Sequence, residues 1–214
     1  TAHVTETLRV LGLPVCDLGG GRRVPSALFR RVNAPLRDGK PAELFPLQEL
    51  ALGAIEAAGG GFLPLGVGEG KTLISFLAHA VLKTRKTILL VPPALRLKTG
   101  RDFVEWSPYF KLDPSLDVVA YTTLSAMGGI DLLERIAGKY RDEDILIVAD
   151  EAHDIAARDA ARTRRFLRFC EAHPHVKCVV MSGTMTKRSI KDYSHLAALA
   201  LRENGHEVLL VDGS

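Results

Sequence analysis

The sequence predicts an α/β domain built on a mainly parallel central sheet with helices on both faces. Five short apolar runs have the length and continuous hydrophobicity of strands that are buried on both sides. They are GFLPL at 61–65, TILLVP at 87–92, LDVVAY at 116–121, DILIVAD at 144–150 and VKCVVMS at 176–182. Segments of helical periodicity separate them, and strands that alternate with helices are typical of parallel sheets.

The predicted helices connect these strands in order. They are KTLISFLAHAVLK at 71–83, ALRLKTGRDFVEW at 94–106, GIDLLERIAGKY at 129–140, AARDAARTRRFLRFCEAH at 156–173 and IKDYSHLAALALREN at 190–204. We therefore assign residues 44–205 to the α/β domain. Residues 1–43, rich in Gly, Pro and Arg, are predicted to form an accessory segment with one short helix. Residues 206–214 are predicted to begin a linker or a second domain that the sequence cuts short.

Composition narrows the class of protein. Of the 214 residues, 47% are hydrophobic and 25% are charged, as in ordinary globular domains, and the net charge of +3 does not require a nucleic-acid partner. No apolar run reaches the roughly 18 residues of a membrane span, and there is no signal-peptide pattern. The three cysteines (Cys16, Cys170 and Cys178) lack metal-site spacing, which fits a reducing cytoplasm. Because the first residue is Thr1, we expect a processed chain or part of a longer one.

A glycine-rich loop lies between the first strand and the first helix of the domain. Gly70, Lys71 and Thr72 match the end of the phosphate-loop pattern G-x-x-x-x-G-K-[ST], whereas Leu65 occupies the position of its first glycine. Backbone N–H groups at such a helix start can surround phosphates, the lysine can neutralise their charge and the threonine can bind Mg²⁺. The predicted nucleotide-binding residues are Val67, Gly68, Glu69, Gly70, Lys71 and Thr72. The alternative is a turn that binds nothing.

Two acidic residues follow the fourth apolar run, in the sequence DILIVADEAH. A carboxylate at the end of a buried parallel strand lies where open α/β sheets bind ligands. Asp150 is predicted to hold Mg²⁺ together with Thr72, and Glu151 to polarise the attacking water. With Lys71 they form the predicted catalytic set. Alternatively, the two acids cap the helix that follows.

Taken together, the motifs resemble the first motor domain of a superfamily 2 helicase or translocase of the DEAD/DEAH-box kind. The resemblance covers roughly residues 44–200: GVGEGKT resembles motif I, DEAH motif II and SGTM motif III, while LFPLQ resembles the upstream glutamine motif. VPPALRLKTGRDF and YTTLSAM take the places of motifs Ia and Ib. Leu65 and Phe45 depart from the family pattern, in which a small residue and an arginine are usual. No segment resembles motifs IV to VI.

The resemblance implies a RecA-like three-layer fold and ATP hydrolysis coupled to movement along nucleic acid. It implies that Gln48 reads adenine, and that His153, Ser182, Gly183 and Thr184 couple the nucleotide site to nucleic acid. Contacts with nucleic acid are expected from Pro93, Arg96, Thr122 and Thr123. The implied cofactors are ATP and Mg²⁺, and the implied partner is a second RecA-like domain that follows this one and supplies an arginine finger.

Several alternatives remain open at this point. The arginine-rich extension, the irregular motif III and the poor match around Gln48 to RNA-type DEAD boxes favour DNA over RNA, by analogy. A Swi/Snf-type duplex translocase without unwinding is the alternative motor, and a non-catalytic nucleic-acid-binding or regulatory domain is the alternative class. The chain by itself is expected to be monomeric and nearly inactive. The arginines of 158–168 are expected to form a solvated helix face, and HPH at 173–175 is not expected to bind metal.

Overall fold

The computed structural model describes residues 24–30, 42–125, 129–183 and 193–201, with the backbone alone for 129–131. Their central feature is a sheet of five parallel strands in the order β1-β5-β4-β2-β3. The strands are β1 (Gly61–Leu63), β2 (Lys86–Val91), β3 (Asp117–Ala120), β4 (Ile145–Ala149) and β5 (Lys177–Met181). Each lies within one residue of a predicted apolar run at its start, so the predicted parallel sheet is confirmed.

Seven α-helices surround this sheet in the described part of the chain. They are α1 (Pro46–Ala58), α2 (Lys71–Leu82), α3 (Arg96–Trp106), α4 (Tyr121–Ser125), α5 (Gly129–Ala137), α6 (Ala161–Ala172) and α7 (Ser194–Leu201). Short 3-10 turns precede α3, β4 and α6 and also occupy Ser26–Leu28. The sequence periodicity identified five of the helices but neither α1 nor the five-residue α4. None of the described helices is long and apolar enough to cross a membrane.

Two separate hydrophobic clusters lie on the two faces of the sheet. Along β4, Ile145, Ile147 and Ala149 pack with α4–α7, whereas Leu146 and Val148 pack with α1–α3. Successive strand residues point to opposite faces, and both faces here are covered, so the strand is apolar throughout. The result is the three-layer α/β arrangement that the sequence predicted.

Part of the N-terminal region packs against the domain. Val24 and Phe29 are buried in the same cluster as α1–α3. The Lys111 N–H donates to the Phe29 carbonyl over 2.6 Å, and Arg30 forms an isolated antiparallel bridge with Phe110. Residues 24–30 therefore contribute to the core, while the boundaries assigned at 43 and 205 stay predictions. Most of 1–43 and all of 206–214 lie outside the described residues.

Candidate nucleotide-binding site

Three predicted motifs begin at the same edge of the sheet. Leu63 at the end of β1 pairs with Met181 at the end of β5, and Ala149 at the end of β4 pairs with Val180. The glycine loop, Asp150 and Ser182 therefore leave the carboxyl edge of neighbouring strands together. The Ser182 N–H also donates to the Leu63 carbonyl over 3.3 Å. This edge is where ligands bind in open α/β folds.

The glycine loop has the backbone conformation that only glycine adopts easily. Gly68 and Gly70 have φ angles of 85° and 76°, in the left-handed region. The N–H groups of Leu73 and Ile74 donate to the Gly70 carbonyl, so α2 starts directly at Lys71. A Cβ atom on Gly70 would lie 2.0 Å from Nε2 of Gln48. Gly70 is thus required both by its φ angle and by the packing of Gln48.

The ammonium group of Lys71 joins the glycine loop to the acidic strand end. Its Nζ lies 2.7 Å from Oε1 of Glu151 and donates to the carbonyls of Leu65 (3.2 Å) and Gly66 (3.4 Å). The Lys71 residue is only 8% exposed, so these contacts are its compensation for the loss of water. The structure therefore brings together two of the three predicted catalytic residues through a direct ion pair.

At Leu65, which departs from the phosphate-loop pattern, the side chain and the backbone carbonyl have different roles. Its side chain is buried in the cluster beneath α1–α3, while its carbonyl oxygen accepts a hydrogen bond from Lys71. The position thus contributes to the core and, through its backbone, to the loop. Further along the loop, the Glu69 carboxylate accepts the Gly66 N–H, and Val67 is 92% exposed.

The two acidic residues of DEAH occupy contrasting environments. Asp150 is 6% exposed, and burial, reinforced by the negative charge of Glu151, raises the pKa of its carboxyl from 3.8 to about 6. Glu151 has a φ angle of 53°, which is uncommon for a residue with a side chain. This turn directs the Glu151 carboxylate back to Lys71, with Nδ1 of His153 3.4 Å from Oε2. His153 thus contacts the predicted catalytic base.

Gln48 contacts the glycine loop, but its side chain is not presented to solvent. It is 3% exposed; its Oε1 accepts the Phe45 N–H over 2.9 Å, and its Nε2 lies 3.5 Å from the Gly70 carbonyl. The Gln48 amide thus caps the first turn of α1 and packs against the backbone of Gly70. Adenine reading by Gln48 stays a prediction, and it would require the amide to leave these partners. The nearby Phe45 side chain is 68% exposed.

The predicted coupling residues lie beside the loop as far as the structure describes them. A Cβ on Gly183 would be 3.1 Å from both Nζ of Lys71 and the Leu65 carbonyl, so its backbone packs directly on the glycine loop. Ser182 is buried at 1% exposure. Thr72, half-buried in the first turn of α2, follows Lys71. Thr184 lies outside the described residues.

The predicted nucleic-acid contacts form a second group on the same edge. Val91 at the end of β2 pairs with Ala120 at the end of β3, so the chain leaves both strands side by side. Pro93, Arg96 and Thr122 are exposed there, and Thr123 is half-buried. The four residues thus lie at the same edge of the sheet as the glycine loop, and their contact with nucleic acid stays a prediction.

Two residues of this region were missed by the sequence patterns. The Tyr121 hydroxyl, fully buried, donates to the Asp150 carbonyl over 2.8 Å. Burial, with the charges of Asp150, Asp154 and Glu151, raises the pKa of Tyr121 well above 10.0. Arg165 of α6 donates to the carbonyls of Leu124 (3.2 Å) and Ser125 (2.7 Å) at the end of α4. A tyrosine at the end of an apolar run is typical of the core, so no sequence pattern indicates its contact with Asp150.

The expectation of a solvated arginine face on α6 is wrong for two positions. Arg164 and Arg168 of α6 are exposed, as is Arg158 in the turn before this helix, but Arg165 donates to carbonyls at the end of α4 and Arg162 lies 3.8 Å from Asp154. Both face neighbouring backbone or side chains because α6 packs between α4 and the turn after β4.

His173 follows the last residue of α6 and forms a local ionic cluster. It contacts Asp142 and Glu134 over 3.1 and 3.2 Å. Among the described residues no group of three or more His, Cys, Asp or Glu side chains is arranged to hold a metal ion.

The comparisons with known proteins concern the fold. A SWI2/SNF2 ATPase core from Sulfolobus solfataricus, solved in complex with dsDNA, matches with a TM-score of 0.57 and 16% sequence identity. The two chains share a fold. The match covers 79% of this chain and 38% of that chain. No protein-family model matches the sequence, and no curated protein matches it.

Proposed function

We propose that the chain is the first ATP-binding motor domain of a nucleic-acid translocase, acting on DNA. The observation that carries this proposal is the contact of Lys71 with Glu151, because it places the glycine loop and the strand-end acids around one point. The fold shared with a SWI2/SNF2 ATPase core supports the same function. A degenerate motor fold retained only for binding would not need this pair of charged groups, which favours the enzyme over the non-catalytic alternative.

The residues present fit a Mg²⁺·nucleotide. Gly68 and Gly70, with left-handed φ angles, add no side chain to the loop at their positions, and a buried lysine provides the charge that would compensate phosphates. A hydroxyl at Thr72 and a carboxylate at Asp150 are the hard oxygen ligands that Mg²⁺ prefers. We infer that these two side chains hold the metal, which when bound supplies charge neutralisation at the β- and γ-phosphates.

The remaining chemistry is assigned to the chain's own groups. Lys71 orients and neutralises the phosphate oxygens. Glu151 accepts a proton from the water that attacks the γ-phosphorus in line, while the bond from that phosphorus to the bridging oxygen breaks and ADP leaves. In the present structure the two groups neutralise each other, so phosphate binding has to redirect Lys71 away from Glu151 and free the carboxylate. His153, in contact with Glu151, is placed to sense this change.

Two kinds of motor would use this chemistry: one that unwinds nucleic acid and one that moves along duplex DNA without unwinding it. The structural neighbour was solved with dsDNA, and this favours the duplex translocase that the sequence left as an alternative. We propose that a second motor domain contributes the arginine finger, as the resemblance to superfamily 2 motors implies; the match covers 38% of that neighbour. Strand displacement by a protein containing both domains distinguishes the two motors: a translocase hydrolyses ATP along duplex DNA and leaves the strands paired.

The proposal is tested by nucleotide binding to this chain. Calorimetric titration should show Mg²⁺·ATP binding, weakened about 10- to 100-fold in Lys71→Ala because a charge-assisted phosphate contact is removed. Lys86→Ala is the matched control: its side chain is also 9% exposed and pairs with Asp117 over 2.8 Å, but it lies at the start of β2, at the opposite edge of the sheet. Equal loss of binding in both variants, or no binding by the wild type, would refute the proposed site.

A further inference from the structure

The buried hydroxyl of Tyr121 connects two sites that the sequence treats separately. Tyr121 is the first residue of α4, which carries Thr122 and Thr123, and its hydroxyl donates to the backbone carbonyl of Asp150 over 2.8 Å. Asp150 is the proposed Mg²⁺ ligand. One hydrogen bond thus joins the metal-binding residue to the helix proposed to contact nucleic acid.

The Asp150 carbonyl accepts its hydrogen bond from the Tyr121 side chain because β4 ends just before this residue. The Asp150 N–H still donates to the Leu90 carbonyl of β2 over 2.9 Å, continuing the ladder of the sheet. The next residue, Glu151, turns away with a φ angle of 53°, so the strand ends here. A buried carbonyl without a partner costs about 1–3 kcal/mol, and Tyr121 is the side chain that satisfies it.

The last residues of α4 are also held in place, by helix α6, which packs against the turn that contains DEAH. Arg165 donates to the Leu124 and Ser125 carbonyls, and its helix, α6, is anchored to the turn after β4. The hydroxyl of Thr163 donates to the Ile155 carbonyl over 3.4 Å, and Arg162 lies 3.8 Å from Asp154. The short helix α4 is therefore fixed at its first residue by the strand end and at its last residues by α6.

We propose that Tyr121 is a positioning residue that makes α4 move with the end of β4, so that nucleotide bound at Asp150 alters the surface formed by Thr122 and Thr123. The direction of coupling is reciprocal: nucleic acid bound at α4 alters nucleotide affinity by the same factor. This inference rests on the proposed function, because it takes Asp150 to face bound nucleotide.

The chain offers a close control for the test. Tyr193 is also fully buried and lies in the same hydrophobic cluster, but its hydroxyl has no hydrogen-bond partner among the described residues. Tyr121→Phe and Tyr193→Phe therefore remove the same atom from the same core, and only the first removes a contact with Asp150.

The experiment measures hydrogen exchange of the backbone amides of 121–125 with and without saturating Mg²⁺·ADP. We expect nucleotide to slow this exchange about fivefold in the wild type and in Tyr193→Phe, and less than about twofold in Tyr121→Phe. Calorimetry should show that Tyr121→Phe and Tyr193→Phe each bind Mg²⁺·ADP with an affinity within about threefold of the wild type. A purely structural role for Tyr121 would raise exchange equally with and without nucleotide and leave the ratio unchanged, which would overturn the inference.

Failure of the inference is separable from failure of the proposed function. A wild-type chain that binds Mg²⁺·ADP without any change at 121–125 overturns the coupling alone, whereas a chain that binds no nucleotide overturns both. If Tyr121→Phe does not fold, the wild type labelled with 3-fluorotyrosine at its four tyrosines provides the measurement. The Tyr121 fluorine resonance should then shift on addition of Mg²⁺·ADP, and an unchanged resonance contradicts the coupling.

Discussion

Nζ of Lys71 lies 2.7 Å from Oε1 of Glu151, and both side chains are largely shielded from water. The pair closes the gap between the loop after β1 and the end of β4. It also means that the proposed phosphate ligand and the proposed base satisfy each other until a nucleotide intervenes.

Glu151→Gln should preserve nucleotide binding and nearly abolish hydrolysis. The amide has the size of the carboxylate but cannot accept a proton from water, and loss of a general base costs about 10²- to 10⁴-fold in rate. It also frees Lys71 from an ionic partner, so affinity for Mg²⁺·ATP should not fall. Binding is measured on this chain and turnover on a protein that includes the second motor domain. Wild-type turnover in the variant would exclude Glu151 as the base. Asp117→Asn, in the ion pair with Lys86 at the opposite edge of the sheet, is the control.

Gly70→Ala should weaken nucleotide binding far more than Gly68→Ala. Both glycines have left-handed φ angles, so each substitution introduces similar strain of about 1–2 kcal/mol. Only at Gly70 does the added Cβ meet Gln48, at 2.0 Å, while at Gly68 nothing lies within 4 Å. The difference between the two variants in melting temperature and in affinity isolates the packing of Gln48 on the loop. Equal effects would show that strain alone matters.

The adenine preference expected from Gln48 is tested with the same titration. An amide that reads the base should make the chain bind ATP more tightly than GTP, and Gln48→Ala should remove the difference. Since the amide is buried against Phe45 and Gly70, reading the base requires it to rearrange. Equal wild-type affinities for ATP and GTP would leave Gln48 only its support of the loop.

Asp150→Asn should stabilise the fold at pH 8 and much less at pH 4. The pKa of Asp150 is raised to about 6 in the folded chain, above its ordinary 3.8, so the stability linked to its protonated form is complete below pH 4 and is lost as pH rises through 6. The neutral amide avoids that loss, which is on the order of 2–3 kcal/mol. Denaturant unfolding without Mg²⁺ at the two pH values measures it. The exposed Asp159→Asn is the control, and the same gain at both pH values for Asp150→Asn would contradict the prediction.

His173→Asn should destabilise the chain more at pH 5.5 than at pH 8.5. Burial by itself would lower the pKa of His173, but hydrogen bonds to Glu134 and Asp142 outweigh it and raise the pKa above 6.5. A raised pKa contributes stability that is complete below 6.5 and is lost as pH rises through the folded value. The ring centroids of His173 and Phe169 also lie 4.5 Å apart. The substitution removes this ring packing equally at both pH values. The exposed His175→Asn is the control, and a pH-independent effect at His173 would disprove the ionic contribution.

The periodicity of apolar residues was sufficient to predict the strands. Runs such as ILIVA are apolar without alternation because both faces of the sheet are covered, and such unbroken short runs are typical of buried parallel strands. Helix α4 was missed because five residues are too short for helical periodicity to appear, and α1 because no apolar strand pattern flanks its start. Its Pro46 and the Gly59 that follows it were nevertheless signals of a helix start and end.

The sequence by itself determined which chemical groups the site contains: a glycine loop that ends in Lys-Thr, and an Asp-Glu pair at the end of a buried strand. Local sequence patterns identify these groups, because few other residues can take the place of glycine, lysine or an acidic residue at such positions. The tertiary structure alone decided how the groups meet. Lys71 reaches Glu151, Gln48 packs behind Gly70 and Tyr121 holds the Asp150 carbonyl across 80, 22 and 29 positions of sequence, respectively. The spatial order of the strands in the sheet brings these residues together, and no short stretch of sequence indicates that order.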